Sequence, residues 1–280
     1  MTVINTNVAS LNSQAAIATN ARGLAKAMQQ LSTGKRINSA SDDAAGLAIS
    51  DKLTAQIRGL NQAVRNANDA ISMLQTAEGA TNEITNMLQR MRELAIQSAN
   101  DTNGTDERTA LNNEFVALRS EINRIASSTS FNGMMLLDGT AGSSTGTVTF
   151  QVGATYSSSN SVSFSFSSFA TTGSLTNAIA SDSLTTLSGA QSAIQNIDTT
   201  IQSVDTQRAA MGGVINRFQY TVDNLTNISV HASESRSRIT DADYSESTAE
   251  LAKHQIIQQA ATAMLAQANQ QPQQVLTLLK

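Results

Sequence analysis

Few residues of this sequence have the types and spacing that catalysis requires. Gly142-Ser143-Ser144-Thr145-Gly146 matches the G-x-S-x-G pattern of a nucleophilic serine, but it lies in a Gly/Ser/Thr-rich stretch rather than between an apolar strand and a helix. The only two histidines, His231 and His254, belong to no HExxH motif, so both are predicted to lie on ordinary helix surface. The chain has no cysteine, which excludes disulfides and thiolate chemistry. These patterns do not favour an enzyme.

Two adjacent carboxylates are the remaining candidates for chemistry. Asp42 and Asp43 follow Ser39 and Ser41, and a carboxylate pair is compatible with metal binding or acid–base catalysis. Hydroxyl and acidic residues also cap helix N-termini, where the macrodipole favours negative charge. Capping is the favoured interpretation, and the sequence predicts no cofactor and no metal site.

Composition restricts the class of protein. The 280 residues are 4% aromatic and 14% charged, with a net charge of −4, no Trp and a single proline, Pro272. Long helices are therefore permitted almost everywhere, and scattered Lys and Arg argue against nucleic acid as a partner. No apolar run is long enough to predict membrane insertion, and the N-terminus lacks the pattern of a cleavable signal peptide. If the protein is secreted, we expect another export route.

A heptad pattern organises both halves of the chain. Apolar side chains recur at alternating spacings of three and four from Leu187 to Ser229, and again in the first half. The sequence therefore predicts a mainly α fold, an elongated antiparallel helical bundle or coiled-coil rod formed by the N- and C-terminal halves. The predicted packing seam consists of Ile57, Leu60, Val64, Ile71, Leu74, Ile194, Ile197, Ile201, Val204, Met211, Ile215 and Phe218.

The middle of the chain predicts a small β region. Asn103-Gly104 predicts a positive-φ turn between two N-terminal helices, and alternating apolar residues after Gly133 predict one or two short hairpins. The predicted organisation is a rod domain from residues 46–140, 141–180 and 181–236, and a second helical domain from residues 1–45 and 237–280.

Both chain ends lack charge. Residues 1–21 and 255–279 contain no Asp, Glu, Lys or Arg, although helices in water usually carry charge opposite their apolar face. We therefore expect both faces of these helices to contact protein in an assembly of many copies, and the ends to be disordered in the monomer. The residues predicted to drive this polymerisation are Ile17, Leu24, Met28, Leu31, Ile256, Ala260, Ala263, Leu276 and Leu279.

Several motifs closely resemble bacterial flagellin. They cover roughly residues 1 to 140 and 185 to 280. They are Ile4-Asn5-Thr6-Asn7, Leu31-Ser32-Thr33-Gly34-Lys35-Arg36-Ile37-Asn38-Ser39-Ala40, Asp42-Asp43-Ala44-Ala45-Gly46, Arg65-Asn66-Ala67-Asn68-Asp69, Ser237-Arg238-Ile239, Asp243-Tyr244 and Leu265-Ala266-Gln267-Ala268-Asn269-Gln270. The resemblance implies a short flagellin without large outer domains.

By this resemblance, the uncharged ends form the inner tube of a hollow helical filament and the seam helices form the layer around it. The resemblance also implies export of the unfolded chain by the flagellar type III apparatus and a location in the extracellular filament. Its implied partners are many copies of itself, an export chaperone, the filament cap and hook-junction proteins.

One segment resembles a surface recognised by the flagellin-sensing Toll-like receptor of animals. It spans residues 88–97, and the resemblance carries the role to Gln89, Arg90, Leu94 and Glu114. The alternative is that these residues serve only packing between subunits.

Three other functions are weighed against a filament subunit. A hook–filament junction protein shares the terminal helices and the export route but acts in few copies. An intracellular coiled-coil scaffold needs charged residues at its e and g positions, which the uncharged ends lack. An enzyme needs convergent titratable groups in a pocket, which two histidines on a rod do not provide.

Overall fold

The computed structural model describes residues 6–170 and 176–278, apart from the side chains of residues 143–144 and 271–278. Leu279 lies outside the described residues, and the side chain of Leu276 is among those left out. The described helices are α1 (Val8–Thr33), α2 (Ala44–Ser98), α3 (Thr105–Ser128), the single turn α4 (Ala141–Ser144), α5 (Leu187–Thr240) and α6 (Tyr244–Leu278). The strands are β1 (Ser130–Phe131), β2 (Met134–Met135), β3 (Thr147–Gln151) and β4 (Ser161–Ser165). The predicted mainly α fold with a small β region in the middle is confirmed.

Side-chain caps fix where the N-terminal helices begin and end. The backbone N–H of Gly46 donates to Oδ1 of Asp43 at 2.8 Å, at the start of α2. Asp42 Oδ2 accepts from the backbone N–H groups of Asn38 and Ser39, which lowers the pKa of the Asp42 carboxyl. Asp43 therefore caps α2, as predicted, whereas Asp42 binds the backbone of the segment between α1 and α2. At its C-terminus α1 ends on Gly34, whose φ of 67° lies in the left-handed region.

The chain forms two compact units. One contains residues 1–57 and 230–280, and the other contains residues 58–229, so α2 and α5 contribute to both. These divisions fall later in the first half and earlier in the second half than the predicted limits at residues 45 and 236. The assignment of the two predicted domains to an inner tube and a surrounding layer of a filament stays a prediction.

In the unit of residues 58–229, α2 and α5 run antiparallel. Ser229 Oγ donates to Oδ1 of Asn61 at 3.0 Å. Arg92 Nε donates to Oδ1 of Asp198 at 2.6 Å, so the sequence numbers along the two helices run in opposite directions. The core between them continues onto α3 and the β region.

Most residues of the predicted seam are buried, but at four positions the buried residue is a neighbour of the predicted one. Four predicted residues are only half-buried and pack against the margin of the core: Val64, Ile71, Ile194 and Ile201. Smaller neighbours are buried one position earlier in the chain: Ala63, Ala70, Ala193 and Thr200. The other predicted members are buried: Ile57, Leu60, Leu74, Ile197, Val204, Met211, Ile215 and Phe218. Small central residues allow the two helix backbones to approach closely, while larger neighbours cover the sides.

The hairpin of β3 and β4 packs on the long helices of this unit. Its strands pair antiparallel, with Val148 opposite Phe164 and Phe150 opposite Val162. The rings of Phe150 and Phe218 meet edge to face, with centroids 5.5 Å apart. The prediction of one or two short hairpins is confirmed by β3 and β4, and β1 and β2 form another hairpin before that segment.

Helix side chains satisfy carbonyl groups of the β3 and β4 strands. Asn66 Nδ2 donates to the carbonyl of Gln151 at 3.0 Å, and Gln207 Nε2 donates to the carbonyl of Ser165 at 2.8 Å. These contacts protect strand edges that otherwise invite pairing with another chain.

The predicted positive-φ turn at Asn103-Gly104 is wrong. Gly104 has φ −77° and ψ −174°, and the link between α2 and α3 is closed instead by Asn103 Nδ2, which donates to the carbonyl of Gln97 at 2.6 Å. The positive-φ pair is Asn132-Gly133, at φ 49° and 81°, between β1 and β2. A two-residue β-hairpin requires that geometry, whereas a helix–helix link of several residues does not.

Asp182 predicts a pH dependence of stability in this unit. Its Oδ1 accepts from Asn196 Nδ2 at 2.9 Å, whereas its Oδ2 is buried and has no partner among the described residues. Burial raises the pKa of the Asp182 carboxyl, against the opposing effects of the Asn196 hydrogen bond and the Arg119 charge. The folded unit therefore binds this proton more readily than the unfolded chain. The cost of burying the charged carboxylate, which lowers the free energy of unfolding, is relieved as pH falls through the folded pKa.

We expect Asp182→Asn, which resembles the protonated form, to raise the melting temperature by about 2 °C near neutral pH. This gain in melting temperature should shrink at a pH near the ordinary pKa of a carboxyl group, because Asp182 of the unaltered chain is then protonated as well. Differential scanning calorimetry of both chains at neutral pH and at the acidic pH measures the difference. An equal gain at both values would contradict the assignment.

Candidate assembly surface

Helices α1 and α6 form an antiparallel pair in the unit of residues 1–57 and 230–280. Near one end, Asn7 Nδ2 donates to the carbonyl of Ala268 at 2.8 Å. At the other end, Lys35 and Asp241 form an antiparallel bridge between the segments that follow α1 and precede α6. Both uncharged segments of the sequence are therefore brought side by side.

The contact between these helices is made largely of small and polar side chains. Ser10, Asn20 and Ala27 are the buried residues of α1, and Ser247 and Ala268 are those described as buried on α6. They recur at heptad-compatible spacings, so α1 and α6 contact each other through one narrow face of each helix. Burial of apolar surface stabilises a contact by roughly 25 cal/mol per Å². Because this seam buries little apolar area, it contributes little free energy of its own.

Large apolar side chains of the same helices are exposed. Met28 is 51% exposed, Ile256 is 66% exposed and Met264 is 63% exposed. Val8, Leu11 and Ile257 are exposed as well. We call the exposed apolar residues of α1 and α6 the assembly surface: Val8, Leu11, Met28, Ile256, Ile257 and Met264.

The residues predicted to drive polymerisation divide between the two environments. Ala260 and Ala263 are exposed beside the assembly surface, to which Met28 and Ile256 themselves belong. Ile17, Leu24 and Leu31 are instead half-buried on the side of α1 that carries Asn20 and Ala27. The sequence pattern could not separate these two groups because α1 and α6 are apolar or small on more than one face.

His254 is not on ordinary helix surface, so that prediction is wrong. Its side chain is 22% exposed, and its Nδ1 lies 2.7 Å from Oδ1 of Asn20 across the helix pair. His231 is exposed as predicted and lies 3.5 Å from Glu234 on its own helix. The missed signal was Gly23, the single glycine of α1, which leaves room for the imidazole ring.

The segment that resembles a receptor surface presents an exposed ion cluster. Arg90 contacts Glu93 on α2 at 3.0 Å and Glu114 on α3 at 3.0 Å, and Gln89 is exposed beside it. The hydrogen bonds that Arg90 donates to Glu93 and Glu114 raise the pKa of its guanidinium, so it stays charged. Leu94 is only 1% exposed and packs in the core, so its side chain does not belong to this surface.

The described residues contain no group of three or more His, Cys, Asp and Glu residues able to hold a metal ion. The single turn α4 precedes strand β3, which reverses the strand-then-helix order of a nucleophile elbow. Among the described helices, none has the length and apolar character needed to cross a membrane.

Comparison with known families decides the identity. The bacterial flagellin N-terminal helical region matches residues 4–142, and the bacterial flagellin C-terminal helical region matches residues 194–279. The chain belongs to the bacterial flagellin family. It is similar to a flagellin of Halalkalibacterium halodurans, at 45% identity over 99% of this chain and 100% of that protein. It is also similar to polar flagellin F of Vibrio parahaemolyticus, at 36% identity over 99% of both chains.

Two solved structures are similar to this flagellin. Bacillus cereus flagellin is 32% identical, with a TM-score of 0.49 over 57% of this chain and 88% of that one. A putative flagellar hook-associated protein from Vibrio parahaemolyticus has a TM-score of 0.59 over 71% of this chain and 100% of that one. At 14% identity, the second likeness shows the fold alone.

Membership in this family fixes the broad role. The flagellin is a structural subunit of the bacterial flagellar filament, an extracellular polymer, and it is not an enzyme. The interpretation of Gly142 to Gly146 as a sequence without catalytic function agrees with that role, although part of it forms the turn α4.

Proposed function

We propose that this flagellin is exported unfolded and self-assembles through the assembly surface into a hollow filament that acts as a propeller. The observation that carries the proposal is the pairing of α1 with α6 through small and polar residues, which leaves Met28, Ile256 and Met264 exposed. Neighbouring copies remove these side chains from water, and the hydrophobic effect then favours the polymer.

Assembly and folding of the ends are coupled in this proposal. Ordering a residue of backbone costs roughly 1–2 kcal/mol, and the α1–α6 seam alone offers little apolar burial against it. Contacts with neighbouring copies supply the missing free energy, so the ends order as each subunit is added. The prediction that the ends are disordered in the monomer stays a prediction that solution measurements decide.

Family resemblance extends the proposal to the export route and the partners. The type III flagellar apparatus, an export chaperone, the filament cap and hook-junction proteins are the expected partners. Unfolded export agrees with ends that fold only on assembly, since such ends remain extended until they reach their site.

Seeded elongation tests the proposal. Purified full-length chain is mixed with short filament fragments, and electron microscopy and circular dichroism follow the reaction. Long tubes and a gain of helix are expected. A chain that stays monomeric and fully helical would overturn the proposal and favour a junction protein.

A point substitution tests the surface itself. Ile256→Asp places a charge on the assembly surface, and we expect elongation to slow by at least about tenfold, because the charge is desolvated at the contact. Tyr156→Asp is the matched control, since Tyr156 is fully exposed at a turn of the other unit. Equal elongation by the two variants would contradict the assigned surface.

We also propose that the exposed cluster of Gln89, Arg90 and Glu114 is recognised by the flagellin-sensing Toll-like receptor. The support is that these side chains lie together on neighbouring helices and are joined by the Arg90–Glu114 ion pair. Burial of Leu94 assigns it a positioning role on the buried face of α2 instead of direct contact.

We expect Arg90→Asp to reduce receptor signalling by at least about tenfold, because it reverses the central charge of the cluster and truncates a long side chain. Monomeric protein is titrated in a reporter assay. Arg124→Asp is the control, since Arg124 forms a similar exposed pair with Glu121 at 2.6 Å on α3. Unchanged signalling by Arg90→Asp would remove this role.

A further inference from the structure

A cluster of polar groups lies inside the contact between α1 and α6. Asn20 is 6% exposed, and its Nδ2 donates to the carbonyl of His254 at 2.8 Å and to Oε1 of Gln258 at 3.0 Å. With Nδ2 committed to two acceptors, Oδ1 is left to accept from His254 Nδ1 at 2.7 Å. Nδ1 of the imidazole faces this oxygen, and its Nε2 lies 3.5 Å from Oε2 of Glu250 on the same helix. Every polar atom of the Asn20 side chain is matched to α6.

Gly23 receives the imidazole ring on α1. A Cβ atom placed at Gly23 would collide with Cε1 of His254 and would lie 2.6 Å from its Nε2. A glycine inside a helix costs about 1 kcal/mol relative to alanine, so it is tolerated here where a side chain does not fit. The ring of His254 occupies the space that the missing side chain leaves.

Between the Asn7–Ala268 contact and the Lys35–Asp241 bridge, the rest of the seam is not selective for one register. The other side chains described as buried there are small, as in Ser10, Ala27 and Ala268, and their size alone does not distinguish the native register from a slip of one heptad. Such a slip moves one helix along the other by about 10 Å. Pairing by these residues alone therefore leaves several registers of similar free energy.

The polar cluster rejects these alternatives. In one slipped register Ala16 takes the place of Gly23, and in the other Gln30 does, so each presents a Cβ to the ring. In the same two registers Leu251 or Leu265 replaces Gln258 beside Asn20. The buried amide then loses partners, which costs about 1–3 kcal/mol.

We propose that Asn20, Gly23 and His254 form a register lock that fixes the alignment of α1 on α6. A buried polar pair is the device by which coiled coils fix register, at some cost in stability. The assembly surface contains residues of both helices, so the alignment of α1 on α6 sets their relative positions. Only one alignment places them where neighbouring copies can bind. The inference rests on the proposed function, and these residues act as positioning residues for assembly.

Distances between spin labels test the register in the filament. The chain has no cysteine, so cysteines introduced at Gln14 and Ala249, both exposed, carry the only labels. Labelled chain is diluted into unlabelled chain and added to seeds. We expect one distance in the otherwise unaltered chain, and a second population displaced along the helices by about 10 Å in Asn20→Leu and in Gly23→Ala. Asn12→Leu, at an exposed position of α1, is the matched control.

If Asn20→Leu does not elongate seeds, a disulfide that fixes the native alignment provides a second test. Lys35 and Asp241 are bridge partners flanked by two backbone hydrogen bonds, Arg36 N–H to the Thr240 carbonyl at 2.7 Å and Ala242 N–H to the Gly34 carbonyl at 3.0 Å. Such a non-hydrogen-bonded pair has Cα atoms about 4.5 Å apart, within disulfide range. Lys35→Cys with Asp241→Cys therefore pins the native alignment.

Each result of the two experiments supports or overturns the lock. A second distance population, or elongation by Asn20→Leu that returns only when the disulfide is oxidised, supports it. A single native distance in Asn20→Leu filaments overturns it, and so does failure of the oxidised chain to elongate while the same disulfide in the unaltered background does. If the unaltered chain itself does not elongate seeds, the proposed function fails instead of the lock.

Discussion

Replacing Val204 by Asp is expected to unfold the unit formed by residues 58–229. Val204 has no exposed surface and lies on α5 in the core shared with α2, so a new carboxylate there is removed from water. Desolvating a charge in such a site costs several kcal/mol, a large part of the stability of an ordinary domain. Circular dichroism during urea denaturation measures the loss, and we expect the midpoint to fall to low denaturant or the variant to be unfolded without it.

Ile201 provides the matched control on the same helix. The sequence treats Ile201 and Val204 as equivalent seam residues, but Ile201 is half-buried at the margin of the core. Its Asp variant can turn the carboxylate toward water, so we expect a loss of about 1 kcal/mol. Equal destabilisation by the two substitutions would mean that the charge itself, independent of burial, is responsible. Val204→Ala separates charge from lost volume, since it removes only methyl groups.

The seam shows how far hydrophobic periodicity carries a prediction. From Val204 onward the heptad of α5 predicted the buried residues Met211, Ile215 and Phe218. Earlier on α5 and along α2 the pattern contains adjacent candidates, such as Ala63 and Val64, and hydrophobicity favours the larger one. Close helix packing selected the smaller, because backbone approach and interhelical volume are tertiary quantities that a single-sequence pattern does not contain.

The assembly surface was predictable as a region but not residue by residue. Absence of charge at both ends identified α1 and α6, yet it did not reveal that Leu24 is half-buried whereas Met28 is exposed. It also did not reveal that Asn20 binds His254, because the two residues are distant in sequence and neither belongs to a motif. Such a pairing depends on the register of two helices, which becomes known only when their partners are known.

Deleting residues 255–280 should abolish filament growth while leaving the unit of residues 58–229 folded. None of the deleted residues belongs to that unit. The deletion removes Ile256, Ile257 and Met264 from the assembly surface, together with most of the partner of α1. We therefore expect no detectable elongation of seeds by electron microscopy or sedimentation, and an unchanged thermal transition for the remaining unit by calorimetry.

Filament growth is lost because the cost of ordering α1 is no longer offset by its contacts. Ordering α1 costs roughly 1–2 kcal/mol per residue of backbone, and without α6 neither the seam nor the complete assembly surface offsets it. A deletion of residues 155–159, in the exposed turn between β3 and β4, removes chain without touching the α1–α6 pair and is the control. Normal filaments from the chain lacking residues 255–280 would mean that α1 alone builds the contacts between subunits. Failure of both deletions would instead locate a necessary contact in the β region.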